Sequence, residues 1–145
     1  MATLTISQVA KKVGLRTSAL RYYEQIGLLE PAERVSGQRR YDETVLYRLS
    51  IVQRAQQAGF TLDEIQELFS GFAKGTSAPE RWKQLSTRKL QELATQMSQI
   101  QFMQGLLQEM MANCRCDTLE TCGKGLFRQI GAQNNKGVSD CCSPR

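Results

Sequence analysis

The chain has 145 residues, 41% of them hydrophobic, and a formal net charge of +5; this length suits one compact unit, or one domain with an appended dimerisation arm. A mean hydropathy of −0.40 and the lack of any apolar run near the ~18 residues of a membrane span argue against membrane insertion. There is no histidine, which removes Ser-His-Asp and Cys-His catalysis and the Cys₂His₂ type of zinc site.

The opening MATLTISQVAKK lacks an apolar signal-peptide core, so the expected location is cytoplasmic, with the nucleoid. A pI of about 9.1 favours a polyanionic partner. Between positions 34 and 48 stand four arginines and no lysine, namely Arg34, Arg39, Arg40 and Arg48.

In chain order, Thr5-Ile-Ser-Gln8 has capping-box spacing, followed by Ile6, Val9, Ala10 and Val13 as one apolar helical stripe. Gly14 breaks it. Thr17 or Ser18 is expected to cap a second short helix holding Ala19, Leu20, Tyr22 and Tyr23, which completes a helix-turn-helix pattern. In LLEPAERVSGQRRYD, Pro31, the Ser36-Gly37 turn and the flanking Val35 and Tyr41 predict a two-stranded wing.

Asp42 is expected to cap a helix to about Ala58, with Val45, Leu46, Leu49, Val52 and Ala55 inward. Thr61-Leu-Asp-Glu64 opens another helix, which stops near Gly71, and Asp63, Glu64 and Glu67 on it read as a solvated face. Ser77-Ala-Pro-Glu80 begins a long helix to about Ala112. Its Leu90, Leu93, Met97, Ile100, Met103, Leu107 and Met110 recur in steps of three and four, a coiled-coil seam that a second copy would cover. Residues 131–145 are expected to be flexible.

The predicted fold is therefore mainly α: an N-terminal winged helix-turn-helix plus a long C-terminal antiparallel coiled-coil dimerisation helix. Residues 1–72 are expected to form a DNA-binding domain, 73–112 a linker and dimerisation helix, and 113–145 a cysteine-rich effector-sensing loop and tail.

The second helix of such a motif enters the major groove, so Arg16, Thr17, Ser18 and Arg21 are candidates for base edges. Tyr22 offers a hydroxyl to a phosphate. Arg39 and Arg40 flank the wing turn as candidates for phosphates, with Tyr41 beside them. Catalysis is not expected, because the chain has neither a phosphate-binding glycine loop nor the C-x-x-C of a thiol oxidoreductase. A metallochaperone would have no use for the DNA-binding half.

Five cysteines fall at 114, 116, 122, 141 and 142. Such clustering points to metal or redox chemistry rather than a disulfide framework. Several thiolates without histidine suit a soft ion, with Cu(I), Zn, Hg and As(III) all open. Cys114, Cys116 and Cys122 are the candidate ligands, and Cys141 and Cys142 are further candidates.

The stretches ISQVAKKVGLRTSALRYYEQIGLLEP and SGQRRYDETVLYRLSIVQRAQQAGFTLDEIQELF closely resemble the MerR family of regulators over residues 4–72. The resemblance implies a homodimer on a palindromic site in double-stranded promoter DNA. It also implies distortion of that DNA on effector binding, so that RNA polymerase engages both promoter elements. For copper-type members it implies a monovalent ion between two cysteines separated by seven residues, the separation of Cys114 and Cys122, with a serine of the partner's long helix nearby; Ser77 matches that serine. Mercury, lead and cadmium members carry a cysteine at the helix start, where this chain has Ser77 and Ala78. SoxR-like members instead hold a [2Fe-2S] cluster in C-x2-C-x-C-x5-C. Cys114, Cys116 and Cys122 match its last three ligands, and Met111 stands at the first. Metal sensing and redox sensing therefore both remain open from the sequence.

Overall fold

A computed structural model describes residues 3–131 of the chain. The chain divides into two compact units, Met1–Leu90 and Gln91–Arg145. In the first unit, β1 (Leu4–Thr5) leads into α1 (Ile6–Val13) and α2 (Thr17–Gln25). Then come β2 (Glu33–Val35), β3 (Gln38–Tyr41), α3 (Thr44–Gln57) and α4 (Leu62–Ser70). Helix α5 (Ala78–Asn113) begins in the first unit and continues into the second, which also holds α6 (Leu119–Gly131).

Helix α1 starts where the sequence places it. The Thr5 hydroxyl accepts from the Gln8 N–H at 3.2 Å and the Gln8 side-chain Oε1 accepts from the Thr5 N–H at 2.8 Å, which satisfies two end donors reciprocally. Thr61 and Glu64 do the same for α4. Gly14 ends α1 at φ 68, a left-handed conformation that costs glycine nothing. Val9, Leu20, Leu28, Leu29, Leu49, Val52 and Ile65 form the centre of the core, contributed by α1, α2, the strand-leading segment, α3 and α4.

The wing is three-stranded. Its order is β1-β3-β2, all antiparallel, with Leu4 opposite Tyr41 and Arg34 opposite Arg39. Ser36 and Gly37 have φ of 52 and 79, so both central turn residues are left-handed, as a tight hairpin turn that follows strand twist requires. The strand at Leu4–Thr5 had no sequence signal, since two residues show no alternation.

Several local expectations need correction. The N-cap of α2 is Arg16, with no side-chain bond, rather than Thr17 or Ser18. The N-cap of α3 is Glu43, with no side-chain bond, and the Asp42 carboxylate, expected to cap, accepts from the Thr44 N–H at 3.0 Å one residue further out. The Ser77 hydroxyl accepts from the Glu80 N–H at 3.4 Å, but Glu80 accepts from Gln84 instead of reaching back.

Glu64 and Glu67 are not a merely solvated face either. Glu64 pairs with the buried Lys89 at 2.9 Å and Glu67 with Arg88 at 2.8 Å, so α4 holds the start of α5 by charge. Arg81 adds to this, because its guanidinium donates to the carbonyls of Leu68, Phe69 and Thr76, covering the exposed carbonyl end of α4.

In the second unit, Leu93, Met97, Ile100, Met103, Leu107 and Met110 of α5 are all exposed in the single chain. Helix α6 lies where the sequence reading had only a loop. Its start is capped by Thr118, whose hydroxyl accepts from the Thr121 N–H at 3.2 Å. Among the described residues no helix is long and apolar enough to cross a membrane. The flexibility expected for 131–145 concerns residues that, apart from Gly131 at the end of α6, lie outside those described.

Candidate nucleic-acid interface and thiolate cluster

Helix α2 presents its first turns outward because Leu20 and Tyr23 face the core, which turns Arg16, Ser18, Arg21 and Tyr22 to solvent; Thr17 is half-buried. Polar side chains with hydrogen-bond donors thus occupy the first turn and a half of a helix. Such a surface can enter a groove and meet base edges. In β3, Arg40 is half-buried and donates to Gln38 across one strand step at 3.5 Å.

Two residues of the basic region turn inward. Tyr41 is 4% exposed, and its hydroxyl donates to Glu24 at 2.6 Å. Burial, together with that carboxylate, pushes its phenol pKa well above the usual value. Tyr41 therefore anchors the wing from inside. Arg48 donates to the Leu28 carbonyl at 2.8 Å and stacks over the Phe69 ring at 3.8 Å. Burial lowers its pKa, and it is a structural arginine rather than part of a basic patch.

Arg39 is also engaged, through Nε, by the Glu24 carboxylate at 3.2 Å. Sequence reasoning had no means to single out Glu24. It follows Tyr22 and the buried Tyr23 in α2, and its three partners lie 8 to 17 residues away.

The cysteines gather in the second unit. The Sγ atoms of Cys114, Cys116 and Cys122 all lie within 4.8 Å of one another. Cys114 directly follows α5, with its N–H on the Met110 carbonyl at 3.1 Å, and Cys122 lies in the first turn of α6. Helix α6 thus folds the chain so that residues eight apart meet. Cys114 is exposed and the other two half-buried, so an ion could reach them.

Three points so spaced lie within about 2.8 Å of a common centre, near the ~2.3 Å of a zinc–sulfur bond. The donor set is all sulfur and fits a soft ion with little rearrangement. Met111, where a SoxR-like chain would place its first cluster ligand, is 86% exposed. Ser77 directly precedes α5 and is exposed. Cys141 and Cys142 lie outside the described residues.

Known proteins agree with this architecture. Residues 4–71 match the family model described as MerR HTH family regulatory protein, and residues 46–110 match one described as MerR, DNA binding. The HTH-type transcriptional regulator CueR of Salmonella typhi is 34% identical over 82% of this chain and 87% of its own length. A mercuric resistance operon regulatory protein of Pseudomonas fluorescens is 35% identical over 79% of this chain and 78% of its own. The solved structure of the transcription regulator PbrR691 from Ralstonia metallidurans, in complex with lead(II), superposes with a TM-score of 0.68 at 27% identity, covering 79% of this chain and 90% of that one. These relatives are transcription regulators, not enzymes. On its helix-turn-helix, its wing and these matches, the chain belongs to the MerR family of DNA-binding transcription regulators.

Proposed function

We propose that the protein is a homodimeric transcription regulator that responds to a soft metal or metalloid ion held by Cys114, Cys116 and Cys122. The observation that carries this reading is the meeting of three thiol sulfurs within 4.8 Å, in a family where one relative is named for mercuric resistance and another binds lead(II). Thiolate donors favour soft ions over magnesium or calcium, and bind after losing their protons. The ion would tie the end of α5 to the start of α6, because its ligands come from both sides of that bend.

The domain roles follow from this reading. Residues 1–72 bind DNA through Arg16, Thr17, Ser18 and Arg21, with Tyr22, Arg39 and Arg40 toward phosphates. Residues 73–112 dimerise through the exposed apolar positions of α5, and residues 113–145 sense the ion. A palindromic promoter site, distortion of that DNA, engagement of RNA polymerase and a cytoplasmic location complete the proposal. So does Ser77 of the second copy as a neighbour of the ion, by the resemblance to copper-type members.

The test is to purify the protein without oxygen from cells given mixed metals, then to record metal content and visible spectrum. About one soft ion per protomer in a colourless protein supports the proposal. About two irons and two acid-labile sulfides with a reddish chromophore would replace it with a SoxR-like redox sensor. Such a cluster needs four thiolates, so one beyond the three that meet here would have to join.

A further inference from the structure

Glu24 joins α2 to the wing through three hydrogen bonds. Its Oε1 accepts from the Tyr41 hydroxyl at 2.6 Å and from the Ala32 N–H at 3.3 Å, while Oε2 accepts from Arg39 Nε at 3.2 Å. Its side chain is 12% exposed. One carboxylate on the recognition helix α2 therefore holds β3 at two positions, and also the segment that leads into β2.

That arrangement is unexpected on charge alone. A DNA-facing surface gains affinity from cations and loses it to anions. A carboxylate between the recognition helix and the wing is worth its repulsion of phosphate only through what it orders. The geometry of Arg39 supplies the reason. A guanidinium has five N–H donors in a rigid fork. Glu24 occupies the Nε side, which leaves the Nη edge oriented as a unit, and the Arg39 side chain is 33% exposed.

We propose that Glu24 is a positioning residue for DNA binding. It fixes Arg39 so that its Nη edge meets a backbone phosphate beside the bases read by α2, and it sets the spacing between α2 and the wing. The partner chemistry is a duplex phosphate. The specificity of α2 then rests on a register that Glu24 holds rigid.

This makes a prediction opposite in sign to simple electrostatics. Glu24→Gln removes a negative charge and, by charge alone, should tighten DNA binding; positioning requires that it weaken it. The probe is a duplex carrying the sequence that the wild-type protein enriches from a random library, titrated at several salt concentrations. We expect Arg39→Ala to weaken binding roughly tenfold and to lower the magnitude of the salt slope by about 1. Glu24→Gln should weaken binding severalfold, and the double variant should lose less than the two single losses combined, because part of what Glu24 does passes through Arg39.

Arg39→Lys keeps the charge at this half-buried position but not the fork, and should resemble Arg39→Ala. This variant decides the matter even if Glu24→Gln folds poorly. Equal or tighter binding by a folded Glu24→Gln protein overturns the proposal, and so does an Arg39→Lys protein that binds like wild type.

Discussion

Lys89 Nζ lies 2.9 Å from Glu64 Oε1, with the lysine side chain 10% exposed and the glutamate 24%. The same ammonium sits 5.5 Å from the centre of the Phe60 ring, which in turn meets Trp82 edge-on at 6.1 Å. Since Glu64 also completes the cap of α4 by accepting from the Thr61 N–H, one carboxylate serves both the end of α4 and the docking of α5. With Leu85 buried one turn before Lys89, the first turns of α5 are fixed to the DNA-binding unit. Movement of this helix would therefore be felt by α4 directly.

Lys89→Met keeps much of the apolar stem and removes the charge, leaving Glu64 without its cation. Breaking a fully buried pair costs about 3–5 kcal/mol, and the partial exposure of Glu64 reduces this to about 2 kcal/mol. Urea denaturation measures it. A loss below about 0.5 kcal/mol would show that the pair is only a surface contact.

Burial works to raise the pKa of Glu64, but the Thr61 N–H and the Lys89 ammonium outweigh it and hold the carboxyl below its ordinary value. A carboxyl depressed in the folded state adds stability above its unfolded value of ~4.3, and that stability is lost as pH falls through the folded value. The stability gap between wild type and Glu64→Gln should therefore be full at pH 6–7 and shrink as the pH falls below about 4. A gap that stays constant from pH 7 to pH 3 would contradict this assignment.

Much of this fold is written locally. The capping pairs Thr5/Gln8 and Thr61/Glu64 put both partners within three residues of each other, so sequence spacing reveals them. The apolar periodicities of α1, α3 and α5 are legible for the same reason. Glu24 and Lys89 were invisible because their partners are distant in sequence, and a charged residue in a helix reads as solvated until a neighbour buries it. Helix α6 is less legible, although Thr118 caps it and Leu126, Phe127 and Ile130 recur on it, because two glycines and a cysteine in its first turns weaken the helical pattern. The spacing of Cys114, Cys116 and Cys122 gave the candidate ligands but not their meeting, which depends on the bend before α6.

Arg21 lies exposed on α2, away from the core. Arg21→Ala should weaken binding to the enriched duplex about tenfold, the loss of one good arginine–base contact, with the oligomeric state unchanged by light scattering. Unchanged affinity would remove Arg21 from the interface.

Leu107 stands in the exposed apolar series of α5. Leu107→Glu puts a charge into the proposed seam and should convert dimers to monomers at micromolar concentration, because an unpaired charge in an apolar interface is costly. Sedimentation that still shows a full dimer would place the interface elsewhere.

Sensing as proposed requires Cys114, Cys116 and Cys122 to act together on one soft ion. Anaerobic titration of the reduced protein with Hg(II), As(III), Cu(I) and Zn(II), followed by ultraviolet thiolate–metal absorption, tests it most directly when the three single Cys→Ser variants are run beside the wild type. Saturation is expected at about one ion per protomer for at least one of these ions, with affinity falling by tenfold or more in each variant. Absorption that is absent in the wild type, or that survives unchanged in Cys122→Ser, would contradict it.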